Sequence, residues 1–215
     1  MASAARPSAD AELKKILEQM DRTAANFHTT QASFVWDQYQ KVVNDTDTQK
    51  GKVYFKRAGD HVEMAADITD PDKKYVLFSD NKVQMYQPKI DQVTTYDTGK
   101  RRAEFESFLV LGFGGSGQDM LMSFDVSYAG KEKIGATDTV KLDLVPKSSK
   151  IKNTFQHIVL WIDPKLGISI QQQFFELSGD YRLAKYFDIQ VNGKIPDSVF
   201  KLKTTSKTRT VSPQG

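Results

Sequence analysis

Apolar and polar positions follow two periods along this chain. Leu13, Ile16, Leu17, Met20, Ala24 and Phe27 recur at steps of three and four, which sets them on one stripe of a helix. Asp10 and Glu12 fall in its first turn, where carboxylates oppose the positive end of the helix dipole. Residues 1–9, rich in Ala, Ser, Pro and Arg, read as a disordered lead-in. After Thr29 the period drops to two: Phe34 and Trp36, Val53 and Phe55, Val62 and Met64, Val83 and Met85 are each split by one polar residue. These are half-buried strands. Between them lie turn signals at Asn44 to Gly51, Ala58-Gly59-Asp60, Asp70-Pro71-Asp72, Ser79-Asp80-Asn81 and Gln87-Pro88. Short strands joined by tight turns predict an antiparallel meander.

The pattern breaks from Gly99 to Phe124. There Phe105, Phe108, Leu109, Leu111 and Phe113, then Met120, Leu121 and Phe124, predict two short helices flanking Gly114-Gly115-Ser116-Gly117. Strand spacing returns in Val140, Leu142 and Leu144, in Phe155 to Ile162, in Ile168 and Ile170, and from Tyr181 to Val191. The chain therefore reads as mainly β with some helix (α+β), a single folded domain over residues 10–205 with a flexible tail over 206–215. A sheet of about ten or eleven strands curls into a barrel or part-barrel. One long helix and two short ones cannot cover every strand end, so a concave face is expected to look towards them.

Composition narrows the function classes. At 215 residues there is room for one large domain, which buries about 70% of its unfolded surface without staples. The absence of cysteine removes disulfides, thiolate metal ligands and cysteine nucleophiles. Basic and acidic residues, 30 against 27, leave +3 spread along the chain. That balance serves solubility and gives no nucleic-acid footprint. No apolar run is long enough to span a bilayer as a helix, since Phe108 to Phe113 is followed by Gly114, Gly115 and Gly117. Met1 to Asp10 lacks a signal-peptide pattern, so the protein either stays inside the cell or has had its signal removed.

Chemical motifs are sparse. His28, His61 and His157 are far apart and none has a second ligand at metal-motif spacing. No catalytic residue and no metal or other cofactor is expected. Gly114-Gly115-Ser116-Gly117-Gln118 lacks the last glycine of a nucleophile elbow. Gly112-Phe113-Gly114-Gly115-Ser116-Gly117 matches the dinucleotide fingerprint in form. The fingerprint works only within a strand, helix, parallel-strand unit, and the helical stretch here is about two turns before another strand begins. A glycine joint between two helices explains the run better than a nucleotide site does.

Four segments, in order, resemble the LolA-type periplasmic lipoprotein carriers. Leu13 to Phe34 is similar to the family's opening helix and Phe-rich first strand, and Gly51-Lys52-Val53-Tyr54-Phe55-Lys56-Arg57 to its strand ending in Lys-Arg-Pro, with Ala58 in place of Pro. Tyr75 to Lys82, with Met85-Tyr86-Gln87-Pro88 and Gln92-Val93-Thr94, resembles its Ser-Asp-Gly-Lys and Tyr-x-Pro hairpin, with Asn81 for Gly. Trp161-Ile162-Asp163-Pro164 with Gly167, and Asn192 to Phe200, resemble the later hairpin and terminal segment. The stretch Val62 to Tyr75 is longer than in the family's carriers, and the glycines at 112, 114, 115 and 117 are more numerous.

The resemblance implies an incomplete antiparallel barrel closed by an N-terminal helix and a helical lid, with an apolar cavity for acyl chains and no enzyme activity. It implies a monomeric periplasmic carrier, its signal peptide removed, shuttling lipoproteins from an inner-membrane donor transporter to an outer-membrane acceptor. A lipid-binding envelope sensor or a LolB-like membrane-anchored acceptor on the same fold is the alternative; an acceptor normally starts at a lipidated cysteine. The cavity candidates are Phe34, Trp36, Phe55, Val62, Met64, Phe78 and Met85, and the lid candidates Phe108, Leu109, Leu111, Phe113 and Leu121. By the same resemblance Arg57 is a latch donating to backbone carbonyls of the lid helix, a role suited to a guanidinium that never loses its charge.

Overall fold

The computed structural model describes residues 8–59, 61–99 and 111–213. The chain opens with α1 (Ala9–Ala25), followed by β1 (Thr29–Gln40), β2 (Asp45–Ala58), β3 (His61–Asp70), β4 (Lys74–Ser79), β5 (Lys82–Gln87) and β6 (Gln92–Asp97). The second half has α2 (Gly117–Ser123), β7 (Phe124–Ile134), β8 (Thr137–Pro146), α3 (Ser149–Lys152), β9 (Phe155–Asp163), β10 (Ile168–Glu176), β11 (Tyr181–Val191) and β12 (Arg209–Val211).

Ser8 caps α1 by accepting the Ala11 amide at 3.2 Å, and Ile16, Leu17, Met20 and Ala24 form the buried stripe. The helix ends at Ala25, where the Asn26 amide turns back to the carbonyls of Thr23 and Ala24. Phe27 therefore leaves the helical stripe on which its spacing placed it and turns onto the sheet.

Among the described residues twelve strands form one open sheet, ordered β12-β6-β5-β4-β3-β2-β1-β11-β10-β9-β8-β7. This is the expected incomplete barrel. Its two meanders are joined by the pairing of β1 with β11, antiparallel with a bulge between Gln31 and Ser33. Asn192 staples that junction: its side chain accepts the His28 amide and donates to the Asn26 carbonyl, both at 2.8 Å. Every pairing is antiparallel except β12 on β6.

Three apolar clusters hold the layers together. Ile16, Leu17, Met20 and Met120 of the helices pack on Leu142, Leu144, Ile158, Leu160 and Ile162. Phe27 and Phe113 pack on Phe34, Val53, Phe55 and Ile68. On the opposite face, Ile195, Val199, Phe200 and Leu202 of the C-terminal segment cover Tyr54, Ala65 and Leu77.

Three sequence expectations change. The turn signal at Asn44 to Gly51 shrinks to residues 41–44, because β2 begins at Asp45 and pairs with β1 from there on. Gly51 lies inside the strand at a bulge, where a Cβ would stand 2.1 Å from the Asp67 carbonyl oxygen. The tail holds a strand, Arg209–Val211, because the Arg209 amide donates to the Asp91 carbonyl and the Thr208 hydroxyl to the Asp91 carboxylate. Of the expected helical pair the second is α2, residues 111–114 form a turn, and residues 100–110 lie outside the described residues.

Gly51→Ala is expected to destabilise the fold by about 1–3 kcal/mol through overpacking. Gly193→Ala should be neutral, since a Cβ there meets nothing closer than 3.7 Å. Urea denaturation of the two variants checks the contrast.

Candidate functional site

Residues opposite one another on neighbouring strands share a sheet face. Phe55 lies opposite Met64, Met64 opposite Phe78, and Val76 opposite Met85. Val62 lies opposite Arg57, Phe34 opposite Gly51 and Tyr186, and Trp36 opposite Gln49. The register thus brings Phe34, Trp36, Phe55, Val62, Met64, Phe78 and Met85 to one face, the concave one beneath Phe27 and Phe113. Phe34, Phe55 and Phe78 are buried, while Trp36, Val62, Met64 and Met85 are half-buried.

What fills this face is an aromatic plug. Phe113, 1% exposed, stacks on Phe55 with ring centroids 5.1 Å apart and meets Tyr186 edge-on at 4.4 Å. Such pairs add about 0.5–1.5 kcal/mol each beyond their buried area. Two hydrogen bonds seat the turn that carries the plug: the Gln172 amide donates to the Leu111 carbonyl at 2.5 Å, and the Ser169 backbone N–H to the Gly112 carbonyl at 2.8 Å. Tyr186 reaches the same Gln172 at 3.4 Å, and burial pushes its phenol well above the ordinary tyrosine range, so it stays neutral.

The glycines make this approach possible. Gly112 has φ +78°, and a Cβ on it would stand 2.4 Å from the Ser169 Cβ. At Gly114 (φ +101°) a Cβ would stand 2.7 Å from the Phe27 ring. The dinucleotide-like run therefore has a packing reason, and the strands after it, β7 and β8, pair antiparallel. Among the described residues no group of three His, Asp or Glu side chains gathers as a metal site.

Arg57 donates from Nε to the Phe27 carbonyl at 3.1 Å and from Nη2 to the Ala24 carbonyl at 3.2 Å. Its guanidinium lies 5.5 Å from the centre of the Phe27 ring. These acceptors lie in the last turn of α1 and just past its end, where a positive charge is favourable. The resemblance placed its acceptors on the lid helix. Here its link to the 111–114 turn runs through Phe27, whose ring abuts Gly114.

Of the lid candidates, Leu111 and Leu121 pack with the α1 cluster and Phe113 with the concave one. Phe108 and Leu109 lie outside the described residues. The sequence reading did not single out Phe27, Tyr186 or Gln172. Alternation along Tyr181, Leu183, Lys185 and Phe187 pointed to the other face of β11, and a lone glutamine in the run Gln171-Gln172-Gln173 carries no signal of burial. Clefts also occur away from this face: one of about 150 Å³ between Asp67, Tyr75 and the C-terminal segment, and one of about 230 Å³ between α1 and Asp138 to Val140.

Gly112→Ala is expected to unseat residues 111–114 and raise the binding of a hydrophobic dye such as anilinonaphthalene sulfonate severalfold. Gly193→Ala should not, because a Cβ there meets nothing closer than 3.7 Å. Dye fluorescence against circular dichroism checks that the change is local.

The model of the family described as outer membrane lipoprotein carrier protein LolA matches residues 25–203. No curated protein sequence matches the chain. Among solved structures, an uncharacterized conserved protein from Thermus thermophilus superposes with TM-score 0.59 at 11% identity, over 94% of this chain and 99% of that one. MucB of Pseudomonas aeruginosa, solved in complex with MucA, gives 0.53 at 12% identity over 89% of this chain and 61% of its own, so this chain spans under two thirds of MucB. The Mycobacterium tuberculosis lipoprotein LppX gives 0.51 at 11% identity, over 88% of this chain and 99% of that one. At such identities these structures share the fold alone. The family match covers most of the chain, from the end of α1 through the segment that covers the outer face, and on that ground this chain belongs to the LolA family.

Proposed function

We propose that this protein is a periplasmic carrier that takes the acyl chains of lipoproteins onto its concave face, does no chemistry on them, and passes them from an inner-membrane donor to an outer-membrane acceptor. One observation carries the reading: an apolar sheet face is covered by Phe27 and by Phe113, the latter carried on a glycine-flanked turn.

The energetics favour long chains. Lifting Phe113 off the face costs about 3–5 kcal/mol by analogy with Phe→Ala truncations, and the two hydrogen bonds to Leu111 and Gly112 add about 0.5–1.5 kcal/mol each. Each methylene removed from water returns about 0.8 kcal/mol. About five to ten buried methylenes therefore offset the opening. Short acids fall below that threshold, whereas a lipoprotein's acyl chains exceed it. Because much of the binding energy goes into opening, the loaded state remains weak enough to be emptied by an acceptor that offers a better apolar seat.

Arg57 stabilises the closed state through Phe27 in this scheme. Arg57→Leu should bind acyl chains at least as well as the wild type and release them more slowly, since release must regain the closed form.

A titration with a fluorescent long-chain fatty acid should saturate at a fixed stoichiometry. Palmitate should displace the probe and butyrate should not. Phe55→Asp should weaken probe binding strongly, because a buried carboxylate without a partner costs several kcal/mol. Equal binding by the folded Phe55→Asp variant contradicts the site. Transfer of a loaded lipoprotein to an acceptor, slowed in Arg57→Leu, separates a carrier from a sensor, for which capture occurs and transfer does not.

A further inference from the structure

Two hairpin tips meet at the far end of β1 from the plug. One joins β1 to β2 through Lys41, Val42, Val43 and Asn44; the other joins β10 to β11 through Leu177, Ser178, Gly179 and Asp180. Val42 is 95% exposed, Val43 64% and Leu177 62%. An exposed aliphatic residue by itself needs no explanation. These three, however, stand on tips that are tied together.

The ties are specific. The Lys41 amide donates to the Asp180 carboxylate at 2.8 Å, and the Lys41 side chain lies against Gly179. One step back, Tyr39 and Tyr181 stack with ring centroids 4.9 Å apart, and the Tyr39 hydroxyl donates to Asn44 at 3.0 Å. The apolar side chains are thus presented on a braced support, with little order left to impose on contact.

We infer that the paired tips are a membrane-contact site, which seats Val42, Val43 and Leu177 in the interfacial region of a lipid bilayer. The layering fits that medium. Aliphatic side chains come first, then a lysine able to extend towards headgroups, then a tyrosine pair of the kind that settles at the membrane–water boundary. Three side chains are too few for a stable protein interface, which needs about 800 Å² from each partner. A fluid surface moulds to so small a wedge. Asp45, Asp47, Glu176 and Asp180 stand close by in the sequence of the tips, so attraction to anionic lipid is not the source of binding.

The site deepens the carrier reading and rests on it in one respect: the bilayer is where acyl chains are met. β1 runs from Trp36 on the concave face to Gln40 beside the tip, about 13 Å at strand rise. A seated tip aims the strand that lines the apolar face at the membrane.

The test is flotation of the full chain with vesicles of phosphatidylcholine and phosphatidylethanolamine. The wild type is expected to float, no more strongly when phosphatidylglycerol is added and with little loss in high salt. Val42→Asp with Val43→Asp and Leu177→Asp should weaken vesicle binding on the order of tenfold or more. Val42→Asp alone should weaken it less, and Ile90→Asp, at a site 58% exposed elsewhere, should leave it unchanged. The triple variant should still bind a soluble fluorescent fatty acid as the wild type does. A wild type that ignores vesicles, or a triple variant that floats equally well, overturns the inference. Loss of fatty-acid binding by the wild type would instead overturn the carrier reading and leave the vesicle result standing.

Discussion

The contact of Phe113 with Phe55 and Tyr186 is the point at which the sheet, the glycine-rich turn and the end of the helix meet. Without it, the apolar patch that it covers on the concave face, Phe34 and Phe55 among its residues, would lose part of its cover, and contiguous apolar surface left open to water marks a binding site or an aggregation liability. With it, Phe27 and Phe113 cover the face together, and among the described residues the turn that carries Phe113 is held at the carbonyls of Leu111 and Gly112. In the proposed carrier, a face closed in this way is stable when empty and opens at a cost that a long acyl chain can meet.

The two halves of the barrel divide the labour. Under α1 and α2 the sheet packs Leu142, Leu144, Ile158, Leu160 and Ile162 to complete burial. Cutting any of these to alanine would cost several kcal/mol, so this half is the rigid frame. Under Phe113 several of the face residues are only half-buried, and Met64 and Met85 have the flexible side chains that repack around varied ligands. Arg57 sits at the boundary, holding the carbonyl of Ala24 in the last turn of α1 and that of Phe27 just past it, with its guanidinium by the Phe27 ring. On the outer face the C-terminal segment covers Tyr54, Ala65 and Leu77, whereas the inner face is covered in part by the 111–114 turn.

Much of this was readable in the sequence. Alternation identified most strands and grouped residues of β1, β2, β3 and β5 by face, because a period of two leaves only one set of side chains for each face. Bulges and local packing were not readable. Gly51 looks like a turn residue until the Asp67 carbonyl is found over it. Phe27 continues the helical stripe by spacing, yet the helix stops two residues earlier at Ala25. The three-residue β12 has no period to detect and depends on Asp91, more than a hundred residues away in the chain. Gln172 and Tyr186 owe their roles to a turn that packs across the face from a distant segment, and such contacts leave no local pattern. The family resemblance supplied Arg57, but the carbonyls that it meets follow from where α1 ends.

The central claim is that acyl chains enter by displacing Phe113. The Ser169 amide reports on this directly, since its acceptor is the carbonyl of Gly112 in the displaced turn. Amide hydrogen exchange at Ser169, measured with and without a saturating long-chain fatty acid, should be faster in the loaded protein, while amides in the β8–β9 frame keep their protection. Unchanged or slower exchange at Ser169 in the loaded protein would contradict the account.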